Sequence, residues 1–127
     1  MVQEQKELLL KDLCARLPYR VKVQIKNEIV VLDSICDDDG YHFNFICEDR
    51  EGVNIEDIKP YLFPLSSMTE EQEIEYDATF ATIVYEDGRK DSTMTYKTFD
   101  WFNKNNFDYR GLIPMGAAID ATGKNIY

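Results

Sequence analysis

Histidine is almost missing from this chain: His42 is the only one in 127 residues. A serine or cysteine nucleophile would have no other imidazole base, and no GxSxG elbow occurs. His42 falls on the polar side of an alternating stretch, where a solvent-facing or hydrogen-bonded imidazole is the ordinary explanation. Cysteine is scarce as well. Cys14, Cys36 and Cys47 are odd in number and lack CxxC spacing, so with one histidine they offer no paired zinc ligands. Three such thiols suit a reducing compartment, and a cytoplasmic protein is expected. No apolar run approaches the roughly 20 residues that span a bilayer. The opening MVQEQKELLLKDL mixes acids with bases and has no long apolar region, so it is not read as a secretory signal.

Positive charge is the remaining shortage. There are 14 Lys and Arg against 24 Asp and Glu, a net charge of −10. The deficit is concentrated in residues 31–91, which hold four bases and seventeen acids. A field of that sign repels phosphate backbones and anionic lipid, so neither nucleic acid nor membrane is expected as a direct partner. A protein partner with a basic patch is the expectation. The competing explanation is that the acids only keep a small protein soluble.

What the chain has in quantity is aromatic side chains, sixteen in all. Six fall in Thr95–Ile113: Tyr96, Phe99, Trp101, Phe102, Phe107 and Tyr109. Tyr96, Phe99, Phe102 and Phe107 recur at helical steps, which predicts a helix with an aromatic core face. Thr95 is placed to cap its start, and Asn105 and Asn106 tolerate the left-handed turn that would end it. Trp101 lies off the stripe, either packed under a neighbouring element or exposed as a contact residue.

The rest reads in order as a single domain over residues 1–127. Leu9, Leu13 and Leu17 predict a helix from Glu4 to Leu17, with Lys6, Lys11 and Arg16 facing away and Pro18 ending it. Tyr19–Ile25 alternates as a half-buried strand. Ile29–Cys36 is a second, central strand, apolar on both faces over Ile29–Leu32. Asp37-Asp38-Asp39-Gly40 turns the chain into a third strand, Tyr41–Cys47. Lys59–Met68 reads as an extended loop pinned by its aromatics. Thr69-Glu70-Glu71-Gln72 has capping-box spacing for a helix beginning at Glu70. That helix is expected to continue to about Tyr85. The alternative is a hairpin turned by Asp87-Gly88 over residues 79–96. Leu112–Ile119 is expected to form a short helix.

Three chemistries have partial motifs in the chain. With Gly40 at the sixth position of a calcium loop, Asp37 and Asp39 become ligands, but positions one and twelve are Ile35 and Ile46. GAAIDATGKN, residues 116–125, has the wrong glycine spacing for a phosphate loop and ends in Asn125 where a hydroxyl is required. Carboxylates are plentiful over Glu70–Asp77, but sequence gives no pair at a set distance in a cleft. No catalytic residue, metal site or cofactor is assigned. The candidate contacts are Asp37, Asp38, Asp39, Glu70, Glu71, Glu73 and Glu75, with Trp101 as an aromatic anchor.

Glu7–Val23 (ELLLKDLCARLPYRVKV), Ile58–Gln72 (IKPYLFPLSSMTEEQ) and Phe99–Ile119 (FDWFNKNNFDYRGLIPMGAAI) together resemble a group of small acidic proteins. That group recurs in genomes of anaerobic gut bacteria, often among phage or mobile-element genes. The resemblance implies a mobile-element accessory context and assigns no catalytic residue. The expected fold is α+β: an N-terminal helix, a three-stranded antiparallel meander, and a mostly helical C-terminal half packed on the sheet. The expected function is a non-catalytic, acidic, protein-binding accessory protein. A structural subunit forming a homo-oligomer is the alternative. A small enzyme using Asp or Glu with Lys59 or Tyr61 is the third reading.

Overall fold

A computed structural model describes all 127 residues. Helix α1 covers Gln3–Arg16. Three antiparallel strands follow: β1 (Lys22–Ile25), β2 (Glu28–Asp37) and β3 (Tyr41–Phe45). The β1–β2 turn has two residues, Lys26 and Asn27, both at positive φ (49° and 66°). That conformation matches the twist of the flanking strands and fixes the register. Val23 then pairs with Val30. Between Leu32 and Ser34 the β2–β3 register shifts, and beyond this bulge β2 runs out to an exposed end at Asp37.

The meander is not a free-standing sheet, which corrects the expected architecture. It supplies three strands of a five-stranded mixed sheet, which β4 (Lys59–Leu62) and β7 (Ile119–Asp120) complete in the order β3-β2-β1-β4-β7. Strand β4 (Lys59–Leu62) belongs to the stretch read as a loop. Pro60, which cannot donate to a ladder, hides the strand in the sequence, yet β4 pairs with β1 through two residue pairs, Val23–Pro60 and Gln24–Lys59. On its other side β4 pairs in parallel with β7 (Ile119–Asp120). The segment expected to be a C-terminal helix is a series of turns leading into β7.

The C-terminal half is therefore not mostly helical. Helix α2 begins at Glu70 as its capping box requires, with Gln72 N donating to Thr69 Oγ1 at 3.2 Å and Thr69 N donating to Gln72 Oε1 at 2.9 Å. It stops at Asp77 instead of reaching Tyr85. Strands β5 (Ala81–Val84) and β6 (Lys90–Thr93) form a separate two-stranded hairpin. Gly88 at φ 84° makes the turn, and Asp87 accepts from Arg89 N at 3.0 Å. Helix α3 (Tyr96–Lys104) is capped by Thr95, and Asn106 takes the left-handed conformation after it.

The core lies between α1 and the sheet. Leu9 and Leu13 of α1 meet Val21, Val23, Ile25, Val30, Leu32, Phe43, Phe45, Ile58, Leu62 and Leu112, all buried. Each such side chain contributes about 1.5–3 kcal/mol. Only half of the predicted α3 stripe is core: Phe102 and Phe107 are buried, whereas Tyr96 is 79% exposed and Phe99 43%. Ile29 is likewise exposed, so β2 is apolar on one face and not on both.

Candidate binding surfaces

The predicted contact residues occupy two separate places. Asp37, Asp38 and Asp39 stand exposed at the β2–β3 turn, with Asp39 and Gly40 at positive φ closing it. Glu70, Glu71, Glu73 and Glu75 are exposed on α2. No hydrogen bond, ion pair or larger surface hollow joins the two groups. Nor do three or more His, Cys, Asp or Glu side chains anywhere converge as metal ligands.

Trp101 is half-buried and is held by packing. Its ring stacks on Phe107 at 5.3 Å between centroids and 13° between planes. Tyr76 of α2 lies 5.8 Å away, and the indole N–H donates to Glu75 at 3.2 Å. One edge still reaches an open hollow of 550 Å³ shared with Glu75, Ala78, Lys104 and Asn105. On the other side of α2, a 350 Å³ hollow is lined by Leu65, Met68, Tyr76, Glu73 and Asp77. Carboxylates here flank an aromatic and two apolar chains, a lining that suits a cationic side chain with an aliphatic stem.

Lys59 and Tyr61 were the pair on which an enzyme would depend. They lie on β4, Lys59 exposed and Tyr61 buried, and neither borders one of the larger hollows. The carbonyl of Tyr61 accepts from the hydroxyl of Tyr127 at 2.8 Å. That hydroxyl also accepts from Lys22 N at 3.0 Å, and the loss of water around it pushes the Tyr127 pKa up to about 12. At Tyr19, a hydrogen bond to the Asp100 carboxylate raises the phenol pKa. Both tyrosines tie elements together.

The most elaborate polar arrangement was missed by sequence reasoning. Arg16, read as facing outward, is fully buried. Its Nε and Nη2 hold the two oxygens of buried Asp12 at 2.9 and 3.0 Å. Nη2 also donates to the Phe107 carbonyl at 2.6 Å and Nη1 to that of Phe102 at 3.4 Å. Arg110 adds a 2.7 Å bond to Asp12 and lies over the Tyr109 ring at 4.4 Å. Asp108 accepts from the backbone N–H groups of Leu112 and Ile113 at 2.9 and 2.8 Å. The network joins the last turn of α1 to the carbonyl end of α3, where positive charge is favoured.

The three thiols are free, and burial raises the pKa of Cys14. No helix is long and apolar enough to cross a membrane. Against known proteins, the chain matches no family model, no curated protein and no solved structure.

Proposed function

We propose that the protein is a non-catalytic binding module whose exposed carboxylates dock on a basic patch of a partner protein. One observation carries the reading. Six ion pairs form within the chain, yet none includes Asp37, Asp38, Asp39, Glu70, Glu71, Glu73 or Glu75. Carboxylates left without an internal cation keep their full field for an external one. An accessory role in a mobile element, acting on a host or phage protein, belongs to the same proposal and rests on the resemblance of the three segments.

Titration with fluorescent oligolysine tests the charge requirement. Binding should weaken steeply as salt rises, and reversing Glu70, Glu71 and Glu73 to Lys should weaken it by about tenfold or more. Salt-insensitive binding, or equal binding by the reversed variant, would remove the proposal. A second reading, a self-assembling subunit, is favoured by the β5–β6 hairpin, where Ile83, Val84, Tyr85 and Met94 are exposed. Sedimentation over a wide concentration range separates the two, since only the second requires a fixed oligomer.

A further inference from the structure

Strand β3 is one outer edge of the five-stranded sheet. From Tyr41 to Asn44 its backbone bonds to nothing beyond the β2–β3 ladder. Alternate residues of an edge strand turn both N–H and C=O outward, and such a row is a template for another strand. Along this edge runs a hollow of 520 Å³, within the roughly 300–1,000 Å³ typical of ligand clefts. Tyr41, His42, Phe43 and Asn44 all line it. Successive side chains of a strand point to opposite faces, so a hollow reached by all four follows the edge. Residues 50–54, reached after the chain folds back at the Phe45–Glu48 bridge, line it as well. The other free edges differ: β7 has two residues, and β5 and β6 border none of the larger hollows.

We infer that β3 is a docking edge for an extended, positively charged segment of a partner protein, which adds to the sheet as a sixth strand. The inference rests on the cationic partner proposed above and specifies how that partner is held. Charge selects the occupant. Residues 37–54 contain six carboxylates and one arginine, Arg50. The Arg50 guanidinium is already engaged by Glu48 at 2.6 Å and by Glu28. Asp37, Asp38 and Asp39 stand free at one end of the edge, and Glu51 lines the hollow.

Side-chain preference follows from a second hollow of 270 Å³, which Tyr41, Phe43 and Ile55 line beside the Lys6–Glu56 ion pair. Tyr41 and Phe43 share one face of β3. An added strand would offer every second side chain to Tyr41, Phe43 and Ile55 and turn the others away from them. The segment recognised therefore alternates apolar with basic residues. Main-chain bonds supply affinity and the alternate positions supply selectivity.

The probe is a capped peptide of alternating lysine and valine, titrated into isotope-labelled protein with backbone amide signals and hydrogen exchange as readouts. Signals of residues 41–44 should move, and their exchange should slow. The same peptide N-methylated along its pairing edge keeps its charge but loses its main-chain donors, and should bind about tenfold more weakly or worse. Asp37→Asn, Asp38→Asn and Asp39→Asn together should weaken the unmodified peptide several-fold. If α2 signals move while those of β3 stay, the docking edge is overturned and the acidic-surface reading survives. If the N-methylated peptide binds equally well, strand addition is overturned. If the asparagine variant binds unchanged, the charge selection is overturned. If no signal moves, both readings are lost.

Discussion

Arg16 is a fully buried charge on the core face of α1. Its spacing from Leu9 and Leu13 is seven and three, so the same helical stripe that defines the core face also carries Arg16 inward. Asp12 follows by the same steps. A charged residue at such a position looks like a surface ion pair until its partners are seen. The decisive ones, Arg110 and the carbonyls of Phe102 and Phe107, are more than 85 residues away in sequence. Asp12→Asn should cost roughly 3–5 kcal/mol, because it leaves guanidinium charge buried without a counter-ion. Asp12→Leu with Arg16→Met should cost less than the sum of the two single changes. Chemical denaturation of the four species in a double-mutant cycle measures the difference. Tyr127 gives a pH-dependent counterpart. Its pKa is raised from 10 to about 12, so the folded state favours the neutral phenol. Its stabilisation is then complete below pH 10 and lost as pH climbs towards 12. Thermal melts across that interval should fall more steeply for the natural chain than for Tyr127→Phe.

Elements whose signal is local were legible, and elements completed by distant partners were not. Helix α1, the first three strands, the Thr69 capping box and the Thr95 cap all follow from neighbouring residues. Strand β4 is completed by β1 on one side and β7 on the other, both distant in sequence, and β7, with two residues, has no periodicity to detect. The α2–hairpin boundary was a contest between an amphipathic helix and a β-branched run. Past the end of α2 the Thr79 carbonyl accepts from the hydroxyl of Thr95 at 2.8 Å, where a longer helix would have it accept from a backbone N–H. The acidic residues were legible as a turn and as the start of α2, whereas the nearness of residues 50–54 to β3 was not, since no local pattern encodes it. The β5–β6 hairpin is exposed along both strands, and an isolated hairpin is marginal in water. Its amides should exchange fastest among the strands, well ahead of β1. Ile83→Thr with Val84→Thr should change global stability by only about 0.5 kcal/mol, since neither side chain is buried. Amide exchange by mass spectrometry and a denaturation curve check the two statements.

At the scale of the molecule, a small buried core works against a large excess of like charge. The apolar cluster between α1 and the sheet has a fixed transfer free energy that salt hardly alters at moderate concentration. Repulsion among carboxylates is different. Fourteen bases cannot neutralise 24 acids, and several of the bases are committed to internal pairs such as Lys6–Glu56 and Arg50–Glu48. The folded state concentrates the surplus, whereas the unfolded chain spreads it, so compaction carries an electrostatic cost. Screening lowers that cost. Raising sodium chloride from low to near-physiological ionic strength should therefore stabilise the fold, by on the order of 1 kcal/mol or roughly 4 °C in Tm. The same salt should weaken binding to a basic partner, because that attraction depends on the unscreened surplus. Opposite responses of folding and binding to one ion are the signature expected when surface charge is retained for a partner at the expense of the fold. Differential scanning fluorimetry beside the oligolysine titration measures both. A Tm that falls with added salt would mean that attractive pairs dominate the surface, and the surplus would no longer explain why so many carboxylates stand unpaired.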